Sequence, residues 1–181
     1  EDYDFNSDID ILILTENVNK LIKQENYEIL LVSEKNFLKN LPNSLNYLSM
    51  LKEIKTIFNK ELIEKYRIKN NKLDVKNILR EIESIIKINE ESLINCKQNK
   101  QNIPDGIVYS IVLRLRELYL TKCILLKKQY LKNDFLKVVD EKIYSAYIRV
   151  KRDEKEINNI SYEEIKSLLD LSLKWLKDLK D

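Results

Sequence analysis

Hydrophobic and polar positions change rhythm once along the chain. Over the first sixty residues, short apolar runs alternate with polar breaks. Beyond Lys60, apolar residues recur at three- and four-residue steps, the spacing of a helix face. Ile11 to Leu14 contains no polar position, which predicts a strand covered on both faces. Tyr27 to Val32 is rich in β-formers and reads as a second strand, and Thr56-Ile57-Phe58 as a short third. Glu16 to Gln24 reads as a short helix or loop. Ser33 is placed to cap a helix through Phe37 and Leu38. Leu41-Pro42-Asn43-Ser44 marks a turn before a short helix carrying Leu45, Leu48, Met50 and Leu51.

The second rhythm predicts helices throughout. Leu62, Ile63 and Tyr66 suit a connecting helix. Asp74 is placed to cap a long one with Ile78, Ile82, Ile85, Ile86 and Leu93 on its apolar face. Pro104 fits the first turn of a helix carrying Ile107, Ile111, Leu115, Leu118 and Ile124, ending near Leu126. A third long segment is expected from Asn133 or Asp134 through Val138, Ile143 and Tyr147. Ser161 and Glu164 have capping-box spacing ahead of a last helix with Ile165, Leu168, Leu169, Leu173, Trp175 and Leu176. The expected class is therefore α+β: a small mixed β-sheet domain over residues 1–60, then an antiparallel α-helical bundle over residues 61–181.

Composition narrows the chemistry. The 181 residues contain one glycine, so Gly106 stands alone and no Gly-rich phosphate loop exists within them. No histidine is present, which removes catalytic triads and imidazole-based zinc sites. A formal charge of +2 does not by itself imply nucleic-acid binding. Cys96 and Cys123 fall in amphipathic patterns without metal-ligand spacing, as expected of buried thiols in a reducing compartment. No apolar run approaches the roughly twenty residues needed to span a bilayer. A cytoplasmic protein without membrane association is the expectation.

One stretch carries candidate chemistry: Asn6-Ser7-Asp8-Ile9-Asp10, running into Ile11-Leu12-Ile13-Leu14. Residues i and i+2 of a strand share a face, so Asp8 and Asp10 are expected to project together from its end. Neighbouring carboxylates suit Mg²⁺, a hard cation that prefers oxygen ligands and shares them with substrate phosphates. Ser-Asp-Ile-Asp before an aliphatic strand resembles the second half of the signature of the polymerase-β-like nucleotidyltransferases. The first half, a Gly-Ser pair, is not in this sequence. Residue 1 is Glu rather than Met, and residues 1–6 read like the variable stretch between the halves. The expectation is a nucleotidyltransferase domain truncated at its N-terminus, with a strand and helix upstream. The helical part is similar, mainly in helix order, to the domain that follows the catalytic domain of kanamycin-nucleotidyltransferase-like proteins.

The resemblance implies Mg²⁺ or Mn²⁺ on Asp8 and Asp10, an NTP substrate, and Ser7 beside the nucleotide. It implies transfer of a nucleoside monophosphate to an acceptor hydroxyl on a small molecule, a protein or an RNA (tRNA) end, with pyrophosphate leaving. The family often adds a third carboxylate from a neighbouring strand; Glu28 is the candidate here, where Asp is commoner, and a solvent-facing strand residue is the competing reading. Arg114 or Arg116 offers a planar fork to phosphate, against the plainer reading of an ion pair. Tyr144, Tyr147, Arg149, Lys151 and Arg152 form a basic, aromatic segment suited to stacking on a nucleotide or RNA end, or to ordinary core packing. The alternative function is a catalytically silent, antitoxin-like or scaffold protein that binds a partner through its bundle. Nucleotide and acceptor stay open, as does a homodimer.

Overall fold

A computed structural model describes residues 9–68 and 73–181. The chain is α+β, with a three-stranded mixed sheet and eight α-helices among the described residues. It divides into two compact units, one running to Asp74 and one from Val75 to Asp181.

The first unit is built on β1 (Ile9–Thr15), β2 (Lys20–Gln24) and β3 (Tyr27–Ser33), in the spatial order β1-β3-β2. β1 runs parallel to β3 and β2 antiparallel to it. β2 corrects the expected helix or loop over residues 16–24. Its hairpin turns through Glu25-Asn26, with Glu25 at φ 52°, a left-handed conformation usually given to Gly or Asn. Without a glycine the hairpin had no strong signal in the sequence. β1 is also less covered than its aliphatic run implies. It is an edge strand, and Ile9 and Ile13 remain 44% and 42% exposed.

Residues 56–58 form no strand. Ile57 and Phe58 are 79% and 83% exposed, because β-propensity without a partner edge makes no ladder. Helices complete the unit. Ser33 caps α1 (Glu34–Asn40), its Oγ accepting from the Asn36 N–H at 3.4 Å. A single 3₁₀ turn, Leu41–Asn43, leads to α2 (Leu45–Glu53), capped by Ser44. α3 (Lys60–Ile68), grouped with the helical part by its periodicity, packs against α2 in this first unit. Arg67 fixes the contact by donating through Nε to the Leu51 carbonyl at 2.6 Å. The core gathers around Phe37, whose ring lies 5.0 Å from Tyr47 and 6.1 Å from Tyr66. The Tyr66 hydroxyl donates to Glu34, and burial together with that carboxylate pushes the phenol up to about 12.

The second unit contains α4 (Val75–Gln98), α5 (Asp105–Leu125), α6 (Lys132–Leu136), α7 (Glu141–Lys151) and α8 (Tyr162–Lys180). α5 packs against α4, α7 and α8, and α4 also meets α8. α5 therefore supplies much of the core, including Val108, Ile111, Val112, Leu115 and Leu118. The long segment expected from residue 133 is two helices. Asp140 ends the approach and caps α7, accepting from the Lys142 N–H at 2.8 Å. Pro104 stands at the N-cap of α5, one residue ahead of its first turn. The expected capping box opens α8: Ser161 Oγ accepts from the Glu164 N–H, and the Glu164 carboxylate accepts from the Ser161 N–H at 2.7 Å. Cys96 and Cys123 are buried free thiols. Among the described residues, no helix is long and apolar enough to cross a membrane.

Candidate functional site

The parallel pairing of β1 and β3 positions the acidic candidates. Asp10 stands directly opposite Glu28 in the register. Register partners on neighbouring strands share a face and lie about 4.8 Å apart across the ladder. Lys23 of β2 stands opposite Glu28 from the other side. The order across one sheet face is therefore Asp10, Glu28, Lys23. Asp10 is exposed, Glu28 is half-buried, and Lys23 Nζ lies 3.5 Å from the Glu28 carboxylate. That pair is solvent-washed and of small worth in stability.

Asp8 and Ser7 lie outside the described residues. Asp10 and Glu28 are brought together by the fold. Both offer hard oxygen donors on one face, which is the donor chemistry Mg²⁺ or Mn²⁺ prefers. Among the described residues, no group of three or more His, Cys, Asp or Glu side chains gathers around a common point. Lys23 was missed in the sequence because β2 was missed. Once the hairpin is known, its antiparallel register against β3 places Lys23 opposite Glu28.

Arg114 and Arg116 belong to α5 of the helical unit, two residues apart and so on different faces. Arg114 pairs with Glu117 at 3.0 Å in a largely buried setting. Burial pushes the Glu117 carboxyl up, against the pull of Arg114 and Arg116. Arg116 is exposed and lies over the Tyr130 ring, 5.7 Å from its centroid.

The basic aromatic segment divides when folded. Arg149 turns inward, its Nε donating to the fully buried Asp105 at 2.8 Å. The same Asp105 oxygen accepts from the Ile157 N–H at 3.1 Å, and the Asp105 N–H donates to the Asn158 side chain at 2.9 Å. This cluster ties the loop after α7 to the start of α5. Burial opposes the charge on Asp105, but Arg149 and the backbone donors outweigh it and hold the carboxyl below its ordinary value. Tyr144 and Tyr147 instead form a column with Tyr109, the rings stacked at 5.6 Å and 5.1 Å about a central Tyr147.

No protein-family model matches the chain, nor does any curated protein or any solved structure.

Proposed function

We propose that the chain is a metal-dependent nucleotidyltransferase, moving a nucleoside monophosphate from an NTP to an acceptor hydroxyl with release of pyrophosphate. One observation carries the reading: Asp10, from the Ser-Asp-Ile-Asp motif, faces Glu28 in register on the neighbouring parallel strand. The finer architecture proposed with it is a nucleotidyltransferase-type sheet domain followed by an antiparallel helical bundle, in a cytoplasmic setting. Free buried thiols agree with that compartment.

Asp8 and Asp10 would hold Mg²⁺ or Mn²⁺, with Glu28 completing the carboxylate set. The bound ion would neutralise charge on the triphosphate and lower the pKa of the acceptor hydroxyl. Glu28 is the candidate base for the acceptor's proton, with Lys23 Nζ 3.5 Å from its carboxylate. Ser7 is assigned to the nucleotide, and the acceptor is a small molecule, a protein or an RNA end.

The test is transfer of label from α-³²P-NTPs to tRNA, protein and small hydroxyl acceptors. The expected result is Mg²⁺-dependent labelling that Asp10→Ala abolishes while its circular dichroism stays native. Undiminished transfer by that variant rejects the assignment.

A further inference from the structure

The helical unit gathers tyrosines around an arginine that makes no ion pair. Among the described residues, ion pairs engage Arg67, Arg114, Arg149 and Arg152, but not Arg116. The residue keeps exposed surface, while its guanidinium is partly screened from solvent, lies over the Tyr130 ring, and stands within electrostatic and hydrogen-bonding reach of the Tyr130 and Tyr147 hydroxyls. A cation–π contact stabilises the guanidinium without neutralising it. The planar fork keeps N–H donors for an incoming anion, and phenol hydroxyls add neutral donors beside it.

The Tyr109–Tyr147–Tyr144 column runs between α5 and α7. Its central ring, Tyr147, is buried, whereas Tyr109 and Tyr144 at the two ends are half-buried and still present surface. A further ring added at an end would continue the stack. The Tyr144 hydroxyl also lies in the field of Arg116, Lys151 and Arg152. Burial raises its pKa, and that of Tyr130, so both phenols stay protonated and able to donate at neutral pH.

A charged fork beside a ring platform matches one ligand chemistry, a phosphate carried on an aromatic base. We propose that Arg116, with Tyr130 and Tyr144, forms a metal-independent binding site for a phosphorylated nucleoside, free or at the end of an RNA strand. Arg116 and the phenols hold the phosphate, and Tyr144 stacks the base. Cores bury tyrosines without such a purpose, but here an arginine without an ion pair reaches the surface beside Tyr130 and the Tyr144 end of the column. This site stands apart from the metal reading of Asp10 and Glu28.

The experiment is calorimetric titration of the full chain in EDTA, with AMP, adenosine, inorganic phosphate and a 5′-phosphorylated oligoadenylate. EDTA silences any metal site, so failure here and failure of the transferase reading are distinguishable. The native chain should bind AMP saturably, and adenosine and inorganic phosphate more weakly. Arg116→Gln should weaken AMP about tenfold or more, the loss of a charge-assisted contact. Tyr144→Leu should weaken AMP and leave inorganic phosphate unchanged; this second variant decides the matter if Arg116→Gln does not fold. Tighter binding of the oligonucleotide than of AMP marks an RNA end as the ligand, and equal binding a free nucleotide. No saturable binding of AMP by the native chain, or undiminished binding by either folded variant, overturns the proposal.

Discussion

The two units solve the problem of polar residues in opposite ways. In the sheet unit, charge lies on the surface: Asp10, Glu28 and Lys23 cross an accessible face, and the edge strand beneath them is itself half-covered. In the helical unit, the decisive charges are inside. Asp105 is wholly buried against Arg149, and that pair joins three parts of the chain. A carboxylate that is to meet substrate must be accessible, whereas Asp105 holds the fold from inside through its Oδ2, which accepts from Arg149 and Ile157. On the proposed function, the difference puts the candidate metal ligands in one unit and a fold-holding ion pair in the other, and mutation can separate them.

The largest effect is expected at Asp105. Asp105→Ala strands the Arg149 guanidinium in the interior, and should cost about 3–5 kcal/mol in urea unfolding. A loss below about 1 kcal/mol would mean the ion pair is ornamental and the contrast between units false. Next comes a matched pair of truncations. Leu115→Ala, at the centre of α5, should cost about 2–5 kcal/mol, and Ile13→Ala, on the exposed edge strand, under about 1 kcal/mol. Equal losses would show that β1 is as well covered as the helices.

Helix ends offer a gain instead of a loss. Lys100, Lys127 and Asp153 follow α4, α5 and α7 at φ near the left-handed region, 52°, 54° and 56°. Each is spanned by a closing bond, such as Lys128 N–H to the Cys123 carbonyl at 2.8 Å. Lys127→Gly should therefore raise stability by about 1 kcal/mol, by relieving the Cβ clash of that conformation. An unchanged melting temperature would refute the strain.

The smallest effect tests the cap of α8. The Ser161 backbone N–H, then its hydroxyl, then Lys142 hold the Glu164 carboxyl at about 2, against an ordinary 4.5. A folded-state pKa below the unfolded one gives stability that is full above about pH 4.5 and fades as pH falls toward 2. Ser161→Ala removes the hydroxyl but keeps the backbone N–H, so it should cost about 1 kcal/mol at neutral pH and reduce that acid dependence in part. A denaturation series across that range is the check.

Legibility in the sequence followed the strength of local signals. The capping box at Ser161 and Glu164, the cap at Ser33, and the apolar faces of α4, α5 and α8 all declared themselves. β2 did not, because Glu25 makes the left-handed turn that glycine usually announces. Asp140 hid a break inside what read as one helix, since a single acidic residue does not distinguish a cap from a solvent-facing position. At the site, the pairing of Glu28 with Asp10 was expected only through resemblance; β-strand register is a tertiary choice that spacing does not encode. Arg116 and its tyrosines come from three separate segments of the chain, and their meeting had no local signal at all.

The proposed function requires the acidic face of the sheet to bind a divalent cation together with a triphosphate. The most direct test is Mn²⁺ binding followed by electron paramagnetic resonance, with and without NTP, in the native chain and in Asp10→Ala. NTP should tighten Mn²⁺ binding to the native chain, and the variant, folded by circular dichroism, should bind at least about tenfold more weakly. Equal Mn²⁺ binding by the two proteins in the presence of NTP would contradict the proposed function.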